Sequence, residues 1–329
     1  MPLPIIAVLG SLNVDLVTRT PRVPSAGETL IAGGFSTGYG GKGANQAVAC
    51  ARLSRRAASP SAGTVEVRMV GAVGVDEFSG GFLDSLRRDG VDVRGVRTLG
   101  GGERTGVAVI VVEEASGENR ILVSPGANDR VEARPLLPEG TALAVFQLEV
   151  PLEVVLVNAR DAKARGVDVL VNPAPAVPLP DELYEGLGHL VVNESEAALL
   201  AGKSAEEITP DSDLTAVAAD FIRRGVKNVI ITLGSAEEGV FYHTAARQAE
   251  ALPGKLVAAQ KVQVVDTTAA GDTFVGAYAV AVARNRADPT KTAFDMDAAI
   301  AFANRAAGQT VQRKGAQSAI PWVDEVPEA

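Results

Sequence analysis

The sequence predicts an α/β fold, a doubly wound αβα sandwich in which helices cover both faces of a largely parallel sheet. Apolar, β-branched runs alternate with helical patterns along most of the chain. Several runs, such as Ile5–Leu9 and Val65–Val73, are largely apolar, which is typical of strands buried on both faces. The length of 329 residues is ample for a large buried core. We therefore expect one α/β domain over residues 1–329.

The elements of the main sheet follow in order along the chain. Strands are predicted at Ile5–Leu9, Val65–Val73, Ala142–Leu148, Val167–Val171, His189–Val192, Val229–Leu233 and Val262–Val265. Helices are predicted at Ala44–Leu53, Phe78–Arg88, Val154–Arg165, Glu194–Leu200, Leu214–Arg224, Thr273–Arg284 and Ala298–Ala307. Repeated strand–helix–strand units favour a parallel sheet. On such a sheet, ligands bind at the carboxyl ends of the strands.

Two segments break the alternation because they read as strands without crossover helices. Thr29–Tyr39 is one of them, and Thr105–Val123 is the other, with a turn at residues 116–119 between two strands. They predict a small antiparallel β-sheet that forms a lid over the main sheet. We place the lid strands at about residues 29–39 and 105–124.

Composition excludes several classes of function. The chain has 31 Lys and Arg against 40 Asp and Glu, a net charge of −9, which argues against a nucleic-acid partner. One cysteine and two histidines leave no intrachain disulfide, Cys-based zinc site or multi-histidine metal site. No apolar run approaches the ~18 residues that span a bilayer. The N-terminal residues lack the basic segment of a secretory signal. We expect a cytoplasmic protein without a membrane partner.

The densest glycine stretch is residues 33–46. Gly38, Gly40 and Gly43 fit a dinucleotide fingerprint, but the first strand ends far upstream, which argues against that fold. A Walker A loop also fails, because Gly43 follows Lys42. One interpretation is a flexible loop that caps a helix. The other is a site for a polyhydroxyl or anionic ligand, since Lys42 and Asn45 stand at the helix start beside exposed amides.

A second small-residue turn lies at Val265–Phe274, between a strand end and a helix start. Its accessible N–H groups and the helix dipole together predict an anion hole. Asp272 has two interpretations there. It can be a helix N-cap, or it can accept the proton of a hydroxyl that attacks a phosphoryl group held by the amides.

The two segments together resemble the two signatures of the ribokinase-like (PfkB) carbohydrate kinases. The first signature reads Gly40–Ala47 and the second reads Asp266–Asp272. The resemblance runs from about Val8 to Pro321. It includes, in matching order, Gly10–Asp15, Gly27–Thr29, Gly126–Asn128, Asn172–Pro175 and Arg313–Gln317. It implies the ribokinase-like fold with its β-sheet lid.

The resemblance also implies ATP-dependent phosphorylation of a sugar, and the form of the first signature favours the 5-hydroxyl of D-ribose. Two alternatives remain: a kinase of another sugar or nucleoside, and a catalytically silent sugar sensor on the same fold. By resemblance, Asp272 is the catalytic base, and the amides of Ala269, Ala270 and Gly271 build the anion hole. Magnesium accompanies ATP as cofactor.

The resemblance carries a set of sugar contacts onto this chain. They are Asn13, Asp15, Gly41, Lys42, Asn45, Glu149 and Asp272. Asp15 can also be interpreted as a loop carboxylate that caps the next turn. Against this, one ionised carboxylate can accept hydrogen bonds from two vicinal hydroxyls, which suits a furanose diol.

Further residues match the nucleotide site of the family. They are Asn193, Thr232, Gly234, Ser235, Gly239, Gly271 and Asn304. Asn193 and Glu196 also fit a capping box. The resemblance gives Glu196 a magnesium ion held through water, which agrees with the hydration that magnesium retains. The loop 236–238 departs from the family pattern, because it brings two acidic residues near the expected polyphosphate.

Two further expectations come from the resemblance. The first is potassium activation. The ion would lie among Asp266, Thr268, Thr310, Arg313 and Gly315, mostly on backbone carbonyls, a suitable shell for a large monovalent cation. Ala319 stands where relatives carry a serine ligand, which predicts weaker affinity. The second is a homodimer formed through the lid edges, since open sheet edges favour pairing.

Overall fold

The fold is given by a computed structural model that describes residues 2–115, 118–234, 239–290 and 293–328. In these ranges the chain forms one sheet of nine strands and a second sheet of four. None of the helices in the described ranges is long and apolar enough to cross a membrane.

The strands and helices have the following bounds. The strands are β1 Ile5–Leu9, β2 Asn13–Thr20, β3 Gly34–Gly40, β4 Glu66–Gly74, β5 Val91–Leu99, β6 Gly106–Glu113, β7 Asn119–Ser124, β8 Thr141–Phe146, β9 Asp168–Val171, β10 His189–Asn193, β11 Asn228–Thr232, β12 Val240–Thr244 and β13 Lys255–Val257. The helices are α1 Lys42–Arg52, α2 Ser79–Arg88, α3 Leu152–Ala164, α4 Asp181–Tyr184, α5 Glu194–Leu200, α6 Leu214–Arg223, α7 Ala245–Ala249, α8 Ala270–Ala287 and α9 Met296–Thr310.

The larger sheet has the strand order β13-β12-β11-β10-β9-β8-β1-β4-β5. All neighbouring strands from β5 to β11 in this order pair in parallel. At the opposite edge, β12 pairs antiparallel with β11 on one side and with β13 on the other. Alternate residues of β1 enter two different cores: Ile6 and Val8 pack with α1, α2, α8 and α9. Ala7 and Leu9 pack with α3, α4, α5 and α6 on the opposite face. The predicted doubly wound sandwich is confirmed.

The smaller sheet is the predicted lid, in the order β3-β2-β6-β7. Its two outer pairings are antiparallel and its central pairing, β2 with β6, is parallel. β2 was not predicted, because only three residues separate it from β1 and such a short break reads as a loop. The first lid strand was predicted to begin too early, since β3 starts at Gly34 and residues 29–33 lie outside it.

One predicted strand of the main sheet is wrong. Val262–Val265 forms no strand; Val264 and Val265 are about half exposed. The segment is instead bound to the end of α9, where Val311 O accepts from the N–H groups of Val265 and Asp266 at 2.7 and 3.1 Å. β-branched composition predicted a strand here, but no neighbouring strand pairs with it.

Candidate active site

Glu149 organises the start of α1. Its Oε2 accepts hydrogen bonds from Ser11 Oγ at 2.6 Å and from the backbone N–H of Lys42 at 2.9 Å. A longer contact of 3.4 Å comes from Asn13 Nδ2. Glu149 lies three residues beyond the end of β8, since that strand ends at Phe146 and not at the predicted Leu148. From there it joins the β1–β2 connection to the first helix.

Asp15 lies on β2, so the interpretation as a loop carboxylate is wrong. It is paired with Gly38 of β3, and its carboxylate lies over Gly40. A Cβ on Gly40 would stand 2.2 Å from Asp15 Oδ2, and one on Gly41 would stand 2.7 Å from the backbone N of Asn13. Gly41 also has a φ of 84°. The two glycines therefore let the start of α1 approach Asp15 and Asn13 closely.

Asp272 lies in the first turn of α8 and is 7% exposed. Its Oδ2 accepts from Asn45 Nδ2 at 2.9 Å, and its Oδ1 accepts from Gln46 Nε2 at 3.0 Å. The N-cap of α8 is Ala269, so Asp272 does not cap the helix. The interpretation of Asp272 as a helix N-cap is therefore wrong. The carboxylate is instead held against the start of α1.

The start of α8 has the features of an anion site. Ala269 is in the left-handed conformation, with a φ of 60°. The N–H of Ala270 donates to Thr267 O at a long 3.2 Å, while Gly271 and Asp272 lie in the first turn, where no helical carbonyl can accept. A Cβ on Gly271 would meet nothing within 4 Å. The first-turn N–H groups of Gly271 and Asp272 therefore have no helical carbonyl to bind, and they lie beside the Asp272 carboxylate.

The electrostatics of the site are dominated by four carboxylates and one ammonium. Burial, reinforced by the negative charges of Glu149 and Asp272, raises the pKa of Asp15 to about 7. Burial acts to lower the pKa of the Lys42 ammonium, but Asp272, Glu149 and Glu196 together raise it above its usual value. Lys42 therefore stays charged among three acidic groups. Two of them, Glu149 and Asp272, are expected at the sugar, and Glu196 is expected on the nucleotide side.

Asn193 and Glu196 form the capping box that the sequence predicted. Asn193 Oδ1 accepts from Glu196 N, and Glu196 Oε2 accepts from Asn193 N at 2.9 Å. The box uses Oε2 and leaves Oε1 outside it. Burial raises the pKa of Glu196, although the hydrogen bond from Asn193 and the charge of Lys42 act in the other direction. Within the described ranges, no group of three or more His, Cys, Asp or Glu residues could hold a metal ion.

The other residues expected at the nucleotide lie at one end of the strands of the main sheet, the end where β10 and β11 finish. Thr232 ends β11 opposite Asn193 of β10, and Gly234 N donates to Glu194 Oε1 at 2.7 Å. The carbonyl of Gly239 accepts from Leu233 N at 3.0 Å. Ser235 lies outside the described residues, as does the acidic loop 236–238.

Asn304 of α9 approaches the same end of the sheet, beside the last residue of β13. Its Nδ2 donates to Val257 O at 3.3 Å, and Val257 is paired with Val240, the residue after Gly239. The structure therefore brings the described nucleotide candidates of β11, β12 and α9 to neighbouring positions.

The two segments expected to hold potassium are in contact. Asp266 Oδ1 accepts from the N and Oγ1 of Thr268, and Oδ2 accepts from Gly315 N at 2.9 Å. Burial acts to raise the pKa of Asp266, but these hydrogen bonds lower it below its usual value. Thr310 is buried, and its hydroxyl is 2.8 Å from that of Thr273 in α8. The carboxylate is thus ionised and fixed between the two segments.

Two positions bear on the strength of such a cation site. Ala319 is fully buried and supplies no side-chain oxygen. Ser318, one position earlier, is exposed and donates to Lys314 O at 3.2 Å, so its hydroxyl does not replace the missing ligand. Arg313 directs its side chain away, onto Glu325.

Sequence reasoning missed several buried polar side chains around the site. Asn128 accepts from Leu12 N at 2.9 Å and donates to Asn13 Oδ1 at 2.8 Å, which fixes the amide of the predicted sugar contact. Gln46 contacts Asp272 directly. Ser11 and Asn128 stood in the quoted motif segments, but their roles depend on partners more than a hundred residues away.

A cleft of about 850 Å³ lies between the lid and the segments 264–268 and 314–318. Its lining includes Asp15, Arg19 and Ile110 from the lid, and Asp266, Thr268 and Lys314 from the opposite side. The cleft therefore connects the predicted sugar contact on β2 with the turn that leads into α8.

Comparison with known proteins agrees with this geometry. The chain matches the description "pfkB family carbohydrate kinase" over residues 4–323. It is 45% identical to the ribokinase of Schizosaccharomyces pombe, over 98% of this chain and 96% of that protein. The ribokinase structure of Thermotoga maritima is similar with a TM-score of 0.80 and 32% identity, covering 99% of this chain and 98% of that chain.

A second solved structure, the ribokinase of Arabidopsis thaliana complexed with ribose and ATP, has a TM-score of 0.82 and 29% identity, again covering 99% of this chain and 98% of that chain. These matches span nearly the whole chain. The sequence signatures, the lidded α/β architecture and the full-length matches lead to one conclusion: this chain belongs to the pfkB family of carbohydrate kinases.

Proposed function

We propose that the chain is an ATP-dependent kinase that phosphorylates D-ribose at O5, giving D-ribose 5-phosphate and ADP. The observation that carries the proposal is the meeting of two helix starts, where Asn45 of α1 contacts Asp272 of α8. A carboxylate beside open helix-start amides suits transfer of a phosphoryl group to a hydroxyl. The similarity to ribokinases, one of them complexed with ribose and ATP, supports ribose as the acceptor.

In this mechanism the sugar lies between Asp15 and Asp272. Asp15 accepts from the vicinal O2 and O3 hydroxyls, and Asn13, Gly41, Lys42, Asn45 and Glu149 complete the sugar site. Asp272 accepts the proton of the 5-hydroxyl as O5 forms a bond to the γ-phosphorus. The amides of Ala269, Ala270 and Gly271 stabilise the charge on the transferring group. The bond to the bridging oxygen of ADP breaks, and ADP leaves.

The nucleotide is proposed to lie along the β10–β11 edge, with its phosphates toward α8. Asn193, Thr232, Gly234, Gly239, Gly271 and Asn304 would contact it, and Ser235 is retained from the resemblance. Magnesium bound with ATP neutralises phosphate charge, and Glu196 would hold it through water, using the oxygen outside the capping box. The charged Lys42 lies among Glu149, Asp272 and Glu196, where it can offset negative charge on the phosphates of ATP.

A monovalent cation, potassium in particular, is proposed between the segments of Asp266 and Gly315. The donor set fits, because an ionised carboxylate and carbonyls of two adjoining segments suit a large cation. Thr268, Thr310 and Arg313 would add further oxygens, mainly from the backbone, while Ala319 adds none. The ion's charge would order the turn that leads to Asp272.

We also propose one domain over residues 1–329, with the lid as its dimer surface. Only Gly10–Leu12 separate β1 of the main sheet from β2 of the lid. The outer lid strands β3 and β7 carry exposed apolar side chains, namely Phe35, Ile121, Leu122 and Val123. Exposed apolar residues on open strand edges favour pairing with a second copy of the chain.

A substrate panel tests the proposal. ADP release is measured with MgATP and D-ribose, 2-deoxyribose, fructose or adenosine, and the product is checked for phosphate on O5. We expect ribose to give the highest kcat/KM. A higher value for another acceptor would replace ribose as substrate, and ribose binding without ADP release would favour a sugar sensor.

A further inference from the structure

Gln46 follows Asn45 in α1 and is fully buried, so it does not reach the proposed sugar. Its Nε2 nevertheless donates to Oδ1 of Asp272 at 3.0 Å. Asn45 donates to the other oxygen, Oδ2, at 2.9 Å. The two oxygens of the proposed base thus have different neighbours: a residue of the sugar site for Oδ2, and an interior amide for Oδ1.

A backbone carbonyl fixes which way the Gln46 amide points. Val191 O accepts from Asn172 Nδ2 at 3.0 Å, and a carbonyl can only accept, so Asn172 presents its Oδ1 to Gln46. Gln46 must therefore turn its NH₂ group toward Asn172, and the same group meets Asp272. Its Oε1 accepts from Gln147 Nε2 at 2.6 Å, so both the oxygen and the nitrogen of the Gln46 amide are bound. The Gln46 amide is thus locked as a donor to the base.

We propose that Gln46 is a positioning residue for Asp272, which holds Oδ1 on the buried side as an acceptor and leaves Oδ2 facing the 5-hydroxyl. The inference rests on the proposed function, because it gives Gln46 a task only if Asp272 accepts a proton. That proton goes to Oδ2, and Gln46 exchanges none. By donating to the carboxylate, Gln46 favours the ionised form that can act as a base.

The test compares single-turnover rates against pH for the unchanged protein, Gln46→Glu and Gln46→Met. Gln46→Glu can still accept from Gln147 but sets a second carboxylate against Asp272, which makes the ionised base less stable. We expect the acid limb of the rate profile to move up by about one pH unit or more, with ribose KM changed less than about threefold. Gln46→Met, which removes the donor without adding charge, moves the limb less in the same direction.

Asn158→Asp is the matched control. Asn158 is also a fully buried amide; it accepts from Leu136 N and donates to the carbonyls of Arg134 and Val154, on the other face of the main sheet. We expect this variant to melt at a lower temperature with its acid limb in place. If the Gln46 variants behave in the same way, Gln46 only packs the interior and the inference is overturned. Should Gln46→Glu fail to fold, Gln46→Met alone decides.

The inference and the proposed function can fail separately. If the unchanged protein phosphorylates a different sugar, the same profiles measured with that sugar decide the role of Gln46. If it phosphorylates ribose and no Gln46 variant moves the acid limb, only the inference falls. If it phosphorylates nothing, both fall.

Discussion

Asn45 donates a hydrogen bond of 2.9 Å to Oδ2 of Asp272, across 227 residues of sequence. The contact joins the first turn of α1 to the first turn of α8, and so brings the two glycine-rich signatures of the chain to one point. It also places the proposed base beside a residue of the proposed sugar site. In the proposed mechanism, binding of the sugar at Asn45 and proton acceptance at Asp272 would therefore be linked by one hydrogen bond.

The role of Asp15 predicts a defect confined to the sugar. In Asp15→Ala the ribose diol loses a charged acceptor, worth about 1.5–3 kcal/mol per bond, or roughly 10- to 100-fold in affinity. We expect ribose KM to rise by that factor and ATP KM to stay nearly the same. Initial-rate kinetics with each substrate varied in turn provide the measurement. Loss of ATP affinity with ribose KM intact would place the sugar elsewhere.

The same residue predicts pH dependence in ribose binding. Burial and the charges of Glu149 and Asp272 raise the pKa of Asp15 to about 7, so the carboxylate becomes protonated as the pH falls below 7. A protonated carboxyl accepts fewer hydrogen bonds from the diol. We expect ribose KM to increase as the pH is lowered from 8 to 6. A flat KM over this range would contradict the assignment.

The raised pKa also has a consequence for stability. Because the folded protein binds the Asp15 proton more tightly than the unfolded chain, the sugar-free fold loses stability as the pH rises from about 4 to about 7, and this loss is complete above pH 7. Asp15→Asn removes that charge. We expect it to raise the melting temperature at pH 8 and to change it much less at pH 4, below the range where the folded protein ionises Asp15. An equal shift at both pH values would mean that charge is not the cause.

Potassium activation is predicted, with weak affinity because of Ala319. Potassium is titrated against sodium at fixed ionic strength, with tetramethylammonium as the balance. We expect activation by potassium, and Ala319→Ser should lower the half-activating concentration by adding an oxygen. Ser318→Ala is the control, since its hydroxyl is already bound to Lys314 O, and it should leave that concentration unchanged. Rates independent of potassium from zero upward would remove the site.

The lid surface predicts a dimer that a charge can break. Leu122, in the edge strand β7, is 72% exposed. We expect sedimentation to show a dimer, and Leu122→Lys to shift it to monomer. Leu252→Lys changes another exposed leucine outside the lid and should leave the dimer intact. A monomer in the unchanged protein, or a dimer indifferent to Leu122→Lys, would contradict the proposed lid interface.

Periodicity and composition predicted the parallel strands β1, β4, β8, β9, β10 and β11 of the main sheet, which are largely buried, but did not predict β12 and β13 at its antiparallel edge. β1 and α5 were placed with their exact bounds, whereas β5 was missed because Arg94 and Arg97 interrupt its apolar pattern. Short motifs predicted Asp15 and Asp272. They could not predict that Asp15 lies on a lid strand, which depends on pairing with distant β6. The role proposed for Gln46 was equally hidden, since it follows from partners in three other parts of the chain.

The central claim is that Asp272 accepts the hydroxyl proton during phosphorylation of ribose. The most direct measurement is the turnover of Asp272→Asn with ribose and MgATP, together with ribose binding by calorimetry. The substitution keeps the shape of the side chain and removes the proton acceptor. We predict a fall in kcat of about 10²- to 10⁴-fold, with ribose affinity changed only a few-fold. A kcat within a few-fold of the unchanged protein would contradict the claim.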